Sequence, residues 1–243
     1  MDGIERLGPW MYEFELPGGA KTPLLHESLR RVHAVRRSMI FEMLDAVGLD
    51  RTAAVADLGC SEGYFSFEFA KRGSREVFGI DARARNIEKA ELVRDLLGLP
   101  SCRFSIGDVF GANLAPASFD VVLLLGLIYH VEDPIGLMRH AATVARRLLI
   151  VETQLTKEQG PVAFGWGTPD ALSTRDYWAM RREDPATDDL SSTRGFSLIP
   201  SAPAVVSVLR EIGFRSIMQL HPNGRALEPQ YVNVDRAMFA AWW

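Results

Sequence analysis

The most constraining feature of this sequence is a regular alternation of apolar and amphipathic segments between residues 52 and 153. Nearly unbroken apolar runs, such as those at 52–58 and 119–125, are typical of strands that are buried on both faces of a sheet. Segments with helical spacing, such as 64–72 and 86–97, lie between the runs and end at glycines. Because strands that alternate with helices form a parallel sheet with right-handed crossovers, the sequence predicts an α/β fold.

The same periodicities and turn residues place further elements along the chain. Strands are predicted at 10–16, 76–80, 102–106, 148–151, 216–221 and 231–240. Helices are predicted at 25–47, 134–146 and 201–212. A short turn at 222–224 joins the last two predicted strands, so we expect that pair to be antiparallel.

A single domain suits a chain of 243 residues with this pattern. Residues 154–199 interrupt the alternation and are rich in Gly, Pro, Thr, Asp and aromatic residues, which favours a functional lid over a plain connection. We therefore divide the predicted domain into an N-terminal cap with a helix (1–50), a core (51–153), a lid insertion (154–199) and the C-terminal end of the sheet (200–243).

Composition narrows the classes of partner and compartment. No apolar run reaches the roughly 18 residues that span a bilayer, and the N-terminus lacks a basic segment followed by an apolar one, so we expect neither a membrane span nor a signal peptide. Cys60 and Cys102 are the only cysteines, which indicates a cytoplasmic protein without a disulfide framework. The net charge of -4 favours a small-molecule partner over a nucleic acid. Trp242 and Trp243 suggest a homodimer contact.

The loop after the first core strand reads Asp57-Leu58-Gly59-Cys60-Ser61-Glu62-Gly63. Ligands of open α/β sheets bind beyond the carboxyl ends of the strands, and a loop whose backbone contacts a ligand needs residues without a bulky Cβ. Gly59 and Gly63 meet this need, and Asp57 supplies a carboxylate for a cationic group. A tight turn without a ligand is the alternative. The predicted cofactor contacts here are Asp57, Gly59, Cys60, Ser61, Gly63 and Tyr64.

Two more acids follow the ends of the next two predicted strands. Asp81 lies 18 residues after Gly63, near the spacing of about 20 residues at which an acid binds ribose hydroxyls in nucleotide-binding folds. Asp108 is placed to accept a hydrogen bond from an adenine amino group. The glycine spacing differs from the G-x-G-x-x-G of NAD-binding dehydrogenases, the nearest alternative. The remaining predicted cofactor contacts are Ala82, Val109 and Gly126.

These motifs, with Phe119-Asp120-Val121-Val122, resemble those of class I S-adenosylmethionine-dependent methyltransferases over about residues 40–153. The resemblance implies a Rossmann-like, seven-stranded, mostly parallel sheet with an antiparallel last strand. It also implies S-adenosylmethionine as the cofactor. One position departs from the family pattern, because Ser61 stands where the family most often has glycine.

A narrower resemblance involves Leu125-Gly126-Leu127-Ile128-Tyr129-His130-Val131-Glu132-Asp133-Pro134, which is similar to the fourth-strand motif of tRNA wobble-uridine carboxymethyltransferases. In that family, the tyrosine that matches Tyr129 points at the transferred group. The sequence does not match that family's long lysine-bearing N-terminal part, which helps to hold carboxy-S-adenosylmethionine and tRNA. We therefore do not expect the donor and substrate of that family to carry over.

Methyl transfer requires an aligned nucleophile, and it requires a base only where the acceptor must lose a proton. We predict that Tyr129 contacts the donor or acceptor and that His130 is a general base, with a structural role for His130 as the alternative. Residues 126–129 offer no clustered acids, so we predict no metal. The candidate acceptor contacts are Trp10, His33, Trp166, Tyr177 and Trp178.

Three functions remain open after this reading. The favoured one is methyl transfer to an oxygen or nitrogen of a small molecule, as in secondary metabolism. The second is modification of a wobble uridine in tRNA, and the third is a non-enzymatic S-adenosylmethionine-binding protein. Four arginines of the early helix either contact phosphate or form a solvated face, namely Arg30, Arg31, Arg36 and Arg37.

Overall fold

The computed structural model describes residues 2–157, 176–183, 195–222 and 228–243. The strands are β1 (Ala54–Leu58), β2 (Glu76–Asp81), β3 (Cys102–Ile106), β4 (Phe119–Leu125), β5 (Ala145–Gln154), β6 (Trp178–Arg182), β7 (Phe196–Pro200), β8 (Ser216–Leu220) and β9 (Arg236–Trp242). The helices are α1 (Asp2–Leu7), α2 (Glu27–Ala46), α3 (Tyr64–Arg72), α4 (Ala84–Leu97), α5 (Pro134–Val144), α6 (Ala202–Ile212) and α7 (Pro229–Val232). A 3-10 turn, Ile128–His130, follows β4.

Seven strands form one sheet in the order β3-β2-β1-β4-β5-β9-β8. Strands β1 to β5 pair in parallel, and β9 is antiparallel to both of its neighbours, β5 and β8. The strand order reverses between β1 and β4, and ligands bind at such a switch point in open α/β sheets. The predicted fold class is confirmed, including the antiparallel last strand.

Helices cover both faces of the sheet, which explains the nearly unbroken apolar runs of its central strands. Alternate residues of β1 contribute to opposite layers: Val55 packs with residues of α2, α3 and α4, whereas Ala56 packs with residues of α5 and α6. Every residue of β1 is buried. Sheet packing on both faces therefore fixes β1 and β4, and with them the loops at their carboxyl ends, in a rigid frame.

The N-terminal strand predicted at 10–16 is wrong. The structure has only isolated bridges there, Trp10 with Leu24 and Glu15 with Lys21, around a turn in which the Leu16 N–H donates to the Ala20 carbonyl. The alternating apolar residues of this segment are buried, as a strand would require. Two of their backbone N–H groups, however, donate to side chains instead of to a neighbouring strand: Tyr12 to Glu62 and Phe14 to Thr22.

Other boundaries also differ from the prediction. The strand predicted at 148–151 is longer and spans Ala145–Gln154. The segment predicted as a strand at 231–240 begins as helix α7, because Pro229 at the first helical position favours a helical turn, and β9 starts only at Arg236. The helix predicted at 134–146 ends at Val144, since Ala145 already pairs with Phe119 of β4. Most of the predicted turn at 222–224 lies outside the described residues.

The predicted lid contains one regular feature in its described part. Strands β6 and β7 form an antiparallel pair, with Met180 opposite Leu198 and Arg182 opposite Phe196. Residues 158–175 and 184–194 of the predicted lid lie outside the described residues. Its role as a lid stays a prediction.

Trp243 packs within the chain. Its ring stacks on Phe214 with the ring centroids 4.2 Å apart, and its Nε1 donates to the Ala145 carbonyl at 3.2 Å. The homodimer contact suggested for this residue stays a prediction. Within the described ranges, no helix combines the length and apolar character needed to cross a bilayer.

Candidate active site

The loop between β1 and α3 adopts a backbone path that glycine favours. Gly59 and Gly63 have φ values of 77° and 81°, and Ser61 has a φ of 51°. A Cβ added to Gly59 would lie 2.8 Å from Leu127 Cδ2, and one added to Gly63 would lie 2.9 Å from Phe104 Cζ. Ser61 therefore occupies a left-handed conformation that glycine adopts more easily, which agrees with glycine being the usual residue of the family there.

Asp81 connects this loop to the end of β2. The Ser61 N–H donates to Oδ2 of Asp81 at 2.9 Å, while the Arg83 N–H and Asn86 Nδ2 donate to Oδ1 at 2.9 and 3.1 Å. A carboxylate has about four acceptor sites, so Oδ2 retains capacity for a ligand hydroxyl. The structure thus brings the predicted ribose-binding acid into direct contact with the glycine loop.

Asp57 lies deeper than the other acids of the site. Its carboxylate is buried at the end of β1 and accepts a hydrogen bond from Ser66 Oγ at 2.7 Å. Burial raises the pKa of Asp57, and although the hydrogen bonds of Ser66 lower it, the pKa remains about 6. This carboxyl therefore changes its charge near neutral pH, where a neighbouring cation would favour the ionised form.

Glu62 was not among the predicted site residues, and its side chain connects the loop to the N-terminal segment. Its buried carboxylate accepts hydrogen bonds from the Met11 and Tyr12 N–H groups at 3.0 Å and from Lys89 Nζ at 2.6 Å. Lys89 also donates to the Pro9 carbonyl at 2.6 Å. These contacts give the Met11 and Tyr12 N–H groups acceptors in place of a strand partner. No local sequence signal joins groups this far apart along the chain.

The other predicted cofactor residues surround the same edge of the sheet. Asp108 follows β3 and is exposed, and its Oδ1 accepts a hydrogen bond from the Phe110 N–H at 3.0 Å. Tyr64, the first residue of α3, stacks on Tyr12 with the ring centroids 4.9 Å apart. Their contact with a cofactor stays a prediction, and the remaining members of the set are exposed Ala82, buried Cys60 and Val109, and half-buried Gly126.

A buried ionic cluster lies beside Gly126, at the carboxyl ends of β4 and β5. Glu152, which has no solvent-exposed surface, accepts hydrogen bonds at Oε1 from Arg236 Nε and from the Tyr231 hydroxyl, both at 2.7 Å. Arg36 Nη2 lies 3.2 Å from the same oxygen. Burial alone raises the pKa of Glu152, but the two guanidinium groups outweigh it and lower the pKa to about 2.

Tyr129 belongs to this cluster. Its hydroxyl accepts a hydrogen bond from Arg236 Nη2 at 2.8 Å, and its ring lies 5.1 Å from the same guanidinium group. A Cβ added to Gly126 would lie 3.6 Å from the Tyr129 hydroxyl oxygen. Tyr129 is therefore held rigidly at the switch point, where the sequence analysis expected it.

His130, next to Tyr129, pairs with a residue that the sequence analysis did not single out. Its Nδ1 lies 3.2 Å from Oε2 of Glu183, at the end of β6. Burial lowers the pKa of His130 below its usual value, and the hydrogen bond to Glu183 opposes that shift. The ring is therefore neutral at pH 7 and keeps its capacity to accept a proton.

The candidate acceptor residues lie in different environments. Trp10 is fully buried and donates from Nε1 to the Ile4 carbonyl at 2.9 Å. His33 is buried against Tyr12, and burial, helped by Arg36, lowers the pKa of His33 to about 3. Tyr177 and Trp178 are partly buried at the start of the β6–β7 hairpin, whereas Trp166 lies outside the described residues. Their contact with an acceptor stays a prediction.

The arginines of α2 are paired with acids. Arg36 is buried, and the other three point to the surface. Ion pairs join Arg30 to Glu13 and Glu27, Arg31 to Glu228, Arg36 to Glu152 and Arg37 to Glu68. This pairing neutralises the helix and weakens the hypothesis that it contacts phosphate.

Comparison with known proteins agrees with this geometry. Residues 49–161 match the family model of a methyltransferase domain. The matched residues contain strands β1 to β5 and the glycine loop. The resemblance to class I S-adenosylmethionine-dependent methyltransferases, drawn above from the motifs, is confirmed.

Individual relatives are similar to part of this chain. A tRNA U34 carboxymethyltransferase of Desulfotalea psychrophila is 32% identical over 162 residues, which are 66% of this chain and 44% of that protein. A ubiquinone biosynthesis O-methyltransferase of Neisseria meningitidis is 31% identical over 99 residues, which are 40% of this chain and 41% of that protein. The chain spans less than half the length of these two relatives.

The fold is also similar to that of solved structures. The N-terminal domain of EvdMO1, determined in the presence of SAH and D-fucose, superposes with a TM-score of 0.70 at 22% identity. The match covers 98% of this chain and 92% of that one. The whole described fold, including β8 and β9, therefore has a counterpart in a known structure.

Proposed function

We propose that this chain binds S-adenosylmethionine and transfers its methyl group to an oxygen or nitrogen of a small molecule. The observation that carries the proposal is the contact between the glycine loop and Asp81. The Ser61 N–H, after β1, donates to the Asp81 carboxylate at the end of the adjacent parallel strand β2. The match of residues 49–161 to the methyltransferase domain supports the same ligand.

The residues of the site fit an adenosyl nucleoside with a cationic side chain. Glycine at positions 59 and 63 lets the loop pass close to Leu127 and Phe104. Asp81 offers acceptors for a vicinal diol, and Asp57 offers a carboxylate. When bound, S-adenosylmethionine supplies a methyl group activated by its sulfonium sulfur. Tyr129 and His130 would then border the acceptor at the switch point.

Two measurements test this function. Calorimetric titration is expected to detect one saturable site for S-adenosylmethionine and for SAH, its demethylated product. Incubation of the donor with separate sugars, phenols and amines is then expected to form SAH with at least one of them. A chain that binds neither nucleoside would contradict the proposal, and binding without any turnover would favour the non-enzymatic alternative.

The affinity for S-adenosylmethionine is expected to rise as the pH increases through about 6. Because the pKa of Asp57 is about 6 in the free protein, its carboxyl is mostly protonated at pH 5 and mostly ionised at pH 7. Only the ionised form attracts the cationic ligand, whose own charges do not change in this range. We expect roughly tenfold weaker binding at pH 5 than at pH 7 by calorimetry. Asp57→Asn is the control that should abolish this dependence, and a pH-independent wild-type affinity would refute it.

A second candidate function is modification of tRNA, which the names of the tRNA U34 carboxymethyltransferase relatives favour. Against it stand the net charge of -4 and the neutralised arginines of α2. Binding that rests on phosphate contacts weakens steeply with salt. Filter binding of unfractionated tRNA at 50 and 200 mM salt separates the two functions. If the chain methylates a small molecule, we expect little tRNA binding at either concentration. Tight, salt-sensitive binding would favour the tRNA function instead.

A further inference from the structure

His130 and Glu183 form a side-chain pair between the turn after β4 and the hairpin β6–β7. The His130 Nδ1 lies 3.2 Å from Glu183 Oε2, although the residues are 53 positions apart. The Glu183 side chain is only 2% exposed. Its other oxygen, Oε1, accepts a hydrogen bond from buried Ser197 Oγ at 3.1 Å. Ser197 of β7 therefore helps to hold the carboxylate beside the imidazole.

The direction of this hydrogen bond determines the tautomer of His130. An ionised carboxylate only accepts, so Nδ1 must carry the hydrogen. In the neutral ring, Nε2 then bears a free lone pair. Nε2 has no hydrogen-bond partner among the described residues, and the His130 side chain is 22% exposed. An unprotonated imidazole nitrogen therefore lies at the switch point of the sheet, on a side chain that is partly exposed.

The charged groups around His130 keep the ring neutral without removing its basicity. Burial is the largest influence and lowers its pKa, while Arg236 of β9 and Arg181 of β6 act in the same direction. Glu183 acts in the opposite direction, and the Tyr129 ring lies 4.2 Å away. Once Nε2 has taken a proton, the Glu183 carboxylate stabilises the resulting cation.

We propose that the methyl acceptor is a hydroxyl compound, that His130 is the general base that takes its proton, and that Glu183 is the residue that positions His130. This inference rests on the proposed function. A neutral amine can attack through its lone pair and lose its proton afterwards, whereas a hydroxyl oxygen becomes a strong nucleophile only as its proton leaves. A base with a fixed tautomer is therefore most useful for oxygen methylation.

The step balances without an oxidant or reductant. The hydroxyl proton moves to Nε2 of His130, and the oxygen electron pair forms the bond to the methyl carbon. The electron pair of the methyl–sulfur bond stays on sulfur, and the imidazolium later releases its proton to solvent. Glu183 keeps its charge throughout and touches only His130 among these groups.

Nitrogen NMR of the full chain with 15N-labelled histidine tests the pair directly, and the signal of His130 is assigned by its loss in His130→Gln. At pH 7.5 we expect Nε2 to be unprotonated and Nδ1 to be protonated. In Glu183→Gln we expect a mixture of tautomers and a lower His130 pKa, since the ion pair is lost. The matched control Asp176→Asn changes a carboxylate that contacts Ser207, and it should leave the spectrum unchanged. A protonated Nε2 in the wild type, or no effect of Glu183→Gln, would overturn the pair.

Turnover supplies the second readout, with D-fucose and 4-nitrophenol as hydroxyl probes and benzylamine as the amine probe. We expect SAH to form with a hydroxyl probe, and His130→Gln to lower kcat by about 10²–10⁴-fold with recovery at high pH. Glu183→Asp should retain more activity than Glu183→Gln. Turnover with the amine alone, or full activity of His130→Gln, would refute the role of His130 as the general base for a hydroxyl acceptor. SAH titration of the wild type and of each variant separates failure of this inference from failure of the proposed function. A wild type that does not bind SAH refutes the proposed function itself.

Discussion

Replacing Glu152 with glutamine is expected to lower the free energy of unfolding by about 3–5 kcal/mol. The carboxylate is fully buried and lies against two guanidinium groups, with Arg236 Nε at 2.7 Å and Arg36 Nη2 at 3.2 Å. Glutamine has nearly the same shape but no charge, so both arginines would remain buried without their counter-ion. Removing one partner of a buried ion pair is among the most destabilising single changes, because the remaining charge stays desolvated.

Urea denaturation followed by circular dichroism measures this effect, and a matched change on the surface gives its scale. Glu88→Gln removes the partner of Arg6 in an ion pair whose side chains are both largely exposed. Exposed pairs contribute about 0–1 kcal/mol, so this control should unfold close to the wild type. If Glu152→Gln and Glu88→Gln had equal stabilities, the cluster would not be held by its charges. Since Arg236 also holds Tyr129, we expect the Glu152 variant to disturb the site as well.

Asp81→Ala is expected to raise the Kd for SAH by more than tenfold, or about 1.4 kcal/mol in binding free energy. The change removes the acceptors proposed for the ribose hydroxyls, and it leaves the Ser61 and Arg83 N–H groups without their partner. An acceptor lost from a buried polar contact leaves donors unsatisfied, which costs about 1–3 kcal/mol. The ligand contact and the loop contact therefore weaken together.

Calorimetry at constant pH checks this expectation, with thermal unfolding as evidence that the variant is folded. The control is Asp95→Asn, which alters an exposed carboxylate at the end of α4, paired with Arg94. It should bind SAH as the wild type does. An unchanged Kd in folded Asp81→Ala would remove Asp81 from the binding site and weaken the assignment of the whole loop.

The elements that the sequence predicted correctly are those determined by local patterns. The bounds of α3, β3 and β4 agree with the prediction, because burial on both faces gives β4 an apolar run and glycines end α3. The nearness of Asp81 to the glycine loop also follows from the sequence. Carboxyl ends of adjacent parallel strands meet at one edge, so the order of strands and loops along the chain is sufficient.

Other features of the site depend on pairs that no local pattern links. Glu62 with Lys89, His130 with Glu183, and Glu152 with Arg236 are separated by 27, 53 and 84 residues. The residues next to these three acids along the chain do not distinguish them from the exposed acids. The prediction of a strand at 10–16 was wrong for a related reason, because the Met11 and Tyr12 N–H groups donate to the distant Glu62 side chain.

The sequence by itself therefore determined most of the strand and helix pattern, the layered α/β fold and the position of the glycine loop. Periodicity and backbone requirements act over a few residues and are written in consecutive positions. Only the tertiary structure decided which carboxylates are buried, which cations neutralise them and which acid lies beside His130. Those properties depend on desolvation and on distances between atoms that folding brings together from remote parts of the chain.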